Sequence, residues 1–156
     1  MKLLMDADCL IKLTKAGLKE FMGRKDTIFI PEVVRTEIVD AGKEKGCADA
    51  FIVEKNIEAK MITMAVSSSK YKKGDAALIG LFQKEAYDAV ATDDAKLTRL
   101  LRIKSIPFIL PGLIMYKFLQ DDVINRKTAL WALERLSEFI SEDEYSTARL
   151  LMEKAK

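Results

Sequence analysis

The stretch "AVATDDAKL", residues 89–97, carries small and β-branched residues inward and then stops on two adjacent acids, Asp93 and Asp94. An unbroken run of this kind suits a strand buried on both faces, as a parallel sheet requires. The beginning of the sequence repeats the arrangement. There "KLLMDADCL", residues 2–10, drives an apolar strand into Asp6, with Asp8 close behind. In open parallel α/β sheets ligands bind outside the carboxyl ends of the strands. Two buried strands that end on carboxylates therefore fix both an expected fold and an expected place for function.

Three further runs read as strands: "TIFI" (27–30), "MITMAV" (61–66) and "IPFIL" (106–110). Helical patterns lie between them. The first, 8–22, puts Leu10, Leu13, Leu18 and Phe21 on one face, and the second starts at Pro31 and closes at Gly42 or Gly46. Others cover 47–56, 75–87, 95–103 and 111–119, with two more after 125. Ser141 followed by Glu144 makes a capping box for the last. Strands separated by helices imply parallel βαβ units with helices on both sheet faces. The expectation is one α/β domain over residues 1–156, three layers with a mainly parallel central sheet, and a helical extension over 120–156. Trp131, Leu133, Leu136, Phe139 and Ile140 in that extension suit core packing, with a dimer interface as the other use.

Composition narrows the chemistry. The 156 residues are 49% hydrophobic and 32% charged, with a formal net charge of +2, so no global basic field advertises nucleic-acid binding. Acids interrupt the N-terminal apolar run before a signal peptide develops, and nothing approaches the roughly 20 apolar residues of a membrane span. Cys9 and Cys47 are too few for a disulfide framework. These absences point to the cytoplasm. There is no histidine. That removes Ser-His-Asp hydrolysis, Cys-His pairs and His-ligated zinc, and leaves a hydrolase only a carboxylate, a lysine or a metal-activated water as base.

The acids are the residues to place. Asp6 and the Asp93–Asp94 pair stand at strand ends, Asp75 opens a helix after the basic loop "SSSKYKKGD", and Glu37 lies about two turns into the helix after Pro31. Strand alternation puts Asp93 and Asp94 on opposite sides, with Thr92 on the side of Asp94. Each acid alone has a plain explanation as a helix cap or a solvated charge. Together they form a self-repelling cluster that a cation would relieve, and oxygen-only ligation suits Mg²⁺ or Mn²⁺.

The order of motifs resembles the PIN-domain nucleases, which include VapC-type toxins and ribosomal-RNA processing enzymes. The matching segments are "LLMDADCLI", "IPEVVRTEI", "GDAALIGLF" and "DAVATDDAKL", within residues 1–115. Two positions depart from the pattern: Ala7 replaces a common hydroxyl residue, and Asp8 stands where Asn or Ser is usual, an extra acid that either tunes the site or, as favoured here, caps the first helix. The resemblance implies that Asp6, Glu37, Asp75 and Asp94 are the catalytic acids, with Thr92 supporting them. Metal ligation falls to Asp6, Asp75, Asp94 and also Asp93, which is a fifth acid or a supporting one. It further implies divalent-metal-dependent hydrolysis of RNA phosphodiesters to 5′-phosphate and 3′-hydroxyl ends, by a toxin of a toxin–antitoxin pair or an RNA-processing enzyme. Homodimers and small antitoxin partners are common in the family.

An acidic pocket needs nearby cations to hold RNA. Lys70, Lys72 and Lys73, with Tyr71 to stack on a base, precede Asp75; Arg35 lies near Glu37, and Lys12 and Lys15 lie on the first helix. Two other readings stay open. A phosphatase of the haloacid dehalogenase class would use the Asp6-x-Asp8 pair, though Cys9-Leu10-Ile11 lacks that class's continuation and Glu37 gains no role. A non-catalytic RNA- or protein-binding module would share the fold, though such modules usually lose the acids retained here.

Overall fold

The computed structural model describes residues 1–18, 27–66 and 71–155. Lys70 and Phe21 lie outside them. The five expected strands form: β1 (Leu3–Met5), β2 (Ile28–Ile30), β3 (Ile62–Met64), β4 (Ala89–Ala91) and β5 (Phe108–Ile109). They make one sheet in the order β3-β2-β1-β4-β5. All four pairings are parallel, with Leu3 opposite both Ile28 and Ala89. β1 takes the centre because Leu3, Leu4 and Met5 are apolar on both faces, and all three are fully buried.

Eight helices are seen among the described residues. They are α1 (Ala7–Lys15), α2, α3 (Ala48–Glu58), α4 (Gly74–Phe82), α5 (Ala95–Ile103), α6 (Pro111–Gln120), α7 (Arg126–Leu136) and α8 (Glu142–Lys154). α2 is composite: α-helical Glu32–Arg35, a wider π-helical turn at Thr36–Asp40, then α-helical Ala41–Glu44. Side-chain alternation along β1 sends Leu3 and Met5 to one face and Leu4 to the other. On the first face they join a large core with α1, α2, α3 and the C-terminal helices α6–α8. Leu4 meets Val90, Leu78 and Leu81 of α4, and Leu97 and Leu101 of α5. The result is a three-layer α/β/α fold.

The path from β1 moves outward through β2 to β3, then returns to β4 and moves the other way to β5. The reversal falls between β1 and β4, at the switch point where an open sheet leaves a crevice at its carboxyl edge. Asp6 follows β1 at that edge, and Thr92, Asp93 and Asp94 follow β4.

Several expected boundaries move. α1 ends at Lys15, not 22, because Gly17 adopts φ 71°. The Gly17 N–H then donates to the Thr14 carbonyl and the Leu18 N–H to the Leu13 carbonyl, each at 3.0 Å, closing the last turn in a Schellman motif. Gly46, at φ 70°, plays the same part after α2, while Gly42 packs closely on Ala50. At α8 only half the capping box forms. Ser141 accepts the Glu144 N–H at 3.2 Å, but the Glu144 carboxylate turns inward and accepts the Gly112 N–H at 2.7 Å. In the C-terminal helices Leu133 and Leu136 are buried, whereas Trp131 is 49% exposed, with the Arg135 guanidinium 5.3 Å from its ring centre.

Candidate active site

Asp6 is the first residue after β1 and the N-cap of α1: its Oδ1 accepts the Cys9 N–H at 2.7 Å. The expected cap, Asp8, instead sits in the first helical turn. Oδ2 of Asp6 accepts a short hydrogen bond from the Thr92 hydroxyl. Thr92 is fully buried, and its hydroxyl oxygen in turn accepts the Asp94 N–H at 3.1 Å. Asp94 repeats the pattern of Asp6, capping α5 by accepting the Leu97 N–H at 2.6 Å. Capping fixes where each carboxylate points, so the plain role and the functional one coincide. One threonine hydroxyl joins the two strand ends.

The other two acids come from helices. In α2 the π-helical turn lets Val34, Ile38 and Val39 all face the core while Glu37 points toward α4. The Gly74 N–H, at the start of α4, lies beside the Glu37 carboxylate and favours its charged form. A Cβ built on Gly74 would sit in ordinary contact with Glu37 Oε2 at 3.4 Å and Val34 at 3.5 Å, so α4 begins directly against α2. Asp75 follows in the first turn of α4, near enough to disfavour ionisation of Glu37.

These segments meet. A pocket of about 170 Å³ is lined by Asp6, Asp8, Glu37, Gly74, Asp75 and Asp94 together with Ala7, Val34 and Leu78. Five acids share it. Burial pushes the Asp6 carboxyl up from 3.8 to about 6, against the opposing pull of Thr92 and the Cys9 N–H, and Asp93 and Asp8 add to the rise. Burial and then Asp75 raise Glu37, with the Gly74 N–H opposing. Among the described residues no three acids or cysteines converge tightly enough to enclose a metal ion.

Asp93 is not in the lining. It turns to the opposite side, where its Oδ2 lies 2.5 Å from Lys12 Nζ, which also pairs with Asp8 at 2.8 Å. Asp93 Oδ1 is buried and has no hydrogen-bond partner among the described residues. Partial burial pulls the Lys12 ammonium down, but Asp8 and Asp93 together hold it above its ordinary value. Lys12 is thus an internal counter-charge and not a free RNA contact. Arg35 is likewise engaged, with Asp40 at 3.3 Å, a spacing of five residues that the π-helical turn provides. Lys72 and Lys73 are exposed beside α4. The Tyr71 ring lies on α4, where a Cβ at Gly80 would collide with it, and Lys84 Nζ is 5.8 Å from its centre.

Sequence reasoning missed Asp8 as a pocket residue, the contact of Gly74 with Glu37, and the π-helical turn. Only the last left a trace, in the buried apolar spacing Val34, Ile38, Val39.

A family model described as PIN domain matches residues 2–154. The chain belongs to the PIN-domain family. The match extends past the motif-bearing residues 1–115 and includes α6, α7 and α8. PIN domains are generally nucleases and generally use divalent metals, so this chain carries a nuclease fold. No curated protein matches it, and no solved structure does. No helix among the described residues is long and apolar enough to cross a membrane.

Proposed function

We propose that this PIN-domain protein is a divalent-metal-dependent ribonuclease that leaves 5′-phosphate and 3′-hydroxyl ends, with Asp6, Glu37, Asp75 and Asp94 as its working acids. The observation that carries the proposal is the meeting of four separate segments at one carboxylate-lined pocket on the switch-point edge of the sheet. Mg²⁺ characteristically takes one or two carboxylates and keeps several waters, so an oxygen-only pocket of this size fits it, or Mn²⁺, without a cage of three protein ligands. Asp6 and Asp94 would hold the ion, with Asp75 and Glu37 facing them. When bound, such an ion supplies Lewis acidity and makes hydroxide available near neutral pH.

The chain's own residues do the rest. Thr92 and the Cys9 N–H hold the Asp6 carboxylate in one orientation, and the Leu97 N–H does so for Asp94. Burial brings the Asp6 carboxyl up to about 6, and burial and Asp75 shift Glu37 upward in the same direction. Lys12 pairs with Asp93 and with Asp8 at the pocket's edge, and among the described residues no cation lines the pocket beside Asp6, Glu37, Asp75 and Asp94. The same reading gives RNA as the partner, the cytoplasm as the compartment, a homodimer as the working form, and either a toxin held by a small antitoxin or an RNA-processing role.

Cleavage of a labelled RNA with added Mn²⁺ tests this. Asp6→Asn and Asp94→Asn each reduce the rate at least roughly 100-fold, beyond what loss of a merely supporting residue costs. EDTA abolishes cleavage, and a generic aryl phosphate stays intact. Cleavage that survives either substitution, or EDTA, removes the site. A wild-type protein that binds RNA without cutting it establishes the non-catalytic module instead.

A further inference from the structure

α4 and α5 both begin at the acid pocket and pack into the same smaller core on one sheet face. The outward face of α5 carries Lys96, Arg99 and Arg102, all exposed, with Lys104 just beyond. Steps of three residues place Lys96, Arg99 and Arg102 along one side of the helix, over about 9 Å. No acid occurs anywhere in residues 95–120. Among the described residues no salt bridge engages Lys96, Arg99 or Lys104, as is also true of Lys72, Lys73 and Lys127, whereas Lys12, Arg35, Lys43, Lys117 and Arg149 are each paired with a carboxylate. Arg102 lies over the Phe108 ring at 5.2 Å.

Placing Lys96 in the first turn of a helix is electrostatically unfavourable, because that end of the macrodipole favours acids. The first turn itself holds no acid, and the Asp94 carboxylate that caps the helix offsets the cost. An unpaired, acid-free basic stripe that starts beside a negatively charged pocket is complementary to a polyanion whose reacting phosphate lies in that pocket.

We propose that this face of α5, centred on Lys96 and Arg99, is the track that holds a single RNA strand where it leaves the acid pocket. The inference rests on the ribonuclease reading and gives its substrate a path on the surface. The contacts are to phosphates, so they supply grip and not base choice. They also replace Lys12 and Arg35, which the fold engages elsewhere.

The test is fluorescence anisotropy of a labelled single-stranded RNA with Ca²⁺ present, across a salt series, for wild type, Lys96→Ala/Arg99→Ala and Lys127→Ala. Lys127 is an exposed cation on α7, in the opposite layer. Each lost phosphate contact makes the plot of log affinity against log salt shallower by about 0.7, so the double variant is shallower by about 1.4. Lys127→Ala keeps the wild-type slope, and all three proteins melt alike. A double variant with the wild-type slope overturns the track, as does a Lys127→Ala variant that loses as much. Binding of polyglutamate that exceeds RNA binding and depends on Lys96 and Arg99 overturns it in favour of an acidic polypeptide partner. If wild type binds RNA and cuts it while the double variant is unaffected, only the track fails; if wild type neither binds nor cuts, the ribonuclease reading fails with it.

Discussion

Asp6 shows how one side chain carries both fold and site. Its carboxylate caps α1 and takes the Thr92 hydroxyl, and it does so nearly buried, at 7% exposure, so its acidity moves from 3.8 to about 6. Between those values the folded protein holds a proton that the unfolded chain has released. Ion-free protein therefore loses stability as pH rises from about 4 to 6, and Asp6 accounts for about 3 kcal/mol of that loss at about 1.4 kcal/mol per pH unit. Asp6→Asn removes this share, so urea midpoints at pH 4 and pH 7 lie closer together in the variant than in wild type. An unchanged gap contradicts the assignment. Strand alternation favoured Asp94 over Asp93 while both stood as expected metal ligands; Asp94 lines the pocket and Asp93 does not. Alternation did not foretell which of Asp6 and Asp8 caps α1, since both precede an apolar helical run. Nor could spacing find Lys12 for Asp93, a partner 81 residues away in sequence.

At the scale of elements, the pocket depends on how closely α4 approaches α2. Gly74 leaves just enough room for a Cβ against Glu37 and Val34, and the π-helical turn at Thr36–Asp40 carries Glu37 at that contact. Gly74→Val adds two γ-methyl groups beyond a Cβ that already stands in contact with the Glu37 carboxylate and Val34. Glu37 must move, so RNA cleavage falls by roughly ten-fold or more while the far-ultraviolet spectrum is retained, a misplacement effect of the kind remote substitutions produce. Cleavage at the wild-type rate would remove Glu37 from the working acids. The strands and the α5 range were legible because apolar runs and punctuating residues are local signals. The ends of α1 and α8 were less so. Gly17, the one glycine inside the expected helix 8–22, stopped α1 early through a positive φ, and Glu144 left its capping box for Gly112 on α6, a choice made by tertiary packing.

Over the whole molecule, the sheet order puts β1 and β4 side by side at the reversal of direction, and their acids face helices that pack on opposite faces. Asp6 and Glu37 arrive from one layer, Asp75 and Asp94 from the other. The motif order in the sequence pointed to this convergence, but the parallel sheet delivers it, and the Asp93–Lys12–Asp8 ion pairs brace the β4–α5 junction against α1. The most direct test is calorimetric titration of Mn²⁺ into wild type, Asp6→Asn, Asp94→Asn and Asp93→Asn. Wild type and Asp93→Asn bind the ion with similar affinity, while Asp6→Asn and Asp94→Asn bind it more than about ten-fold weaker. Equal affinity in all four proteins, or no binding to wild type, would contradict a shared metal pocket.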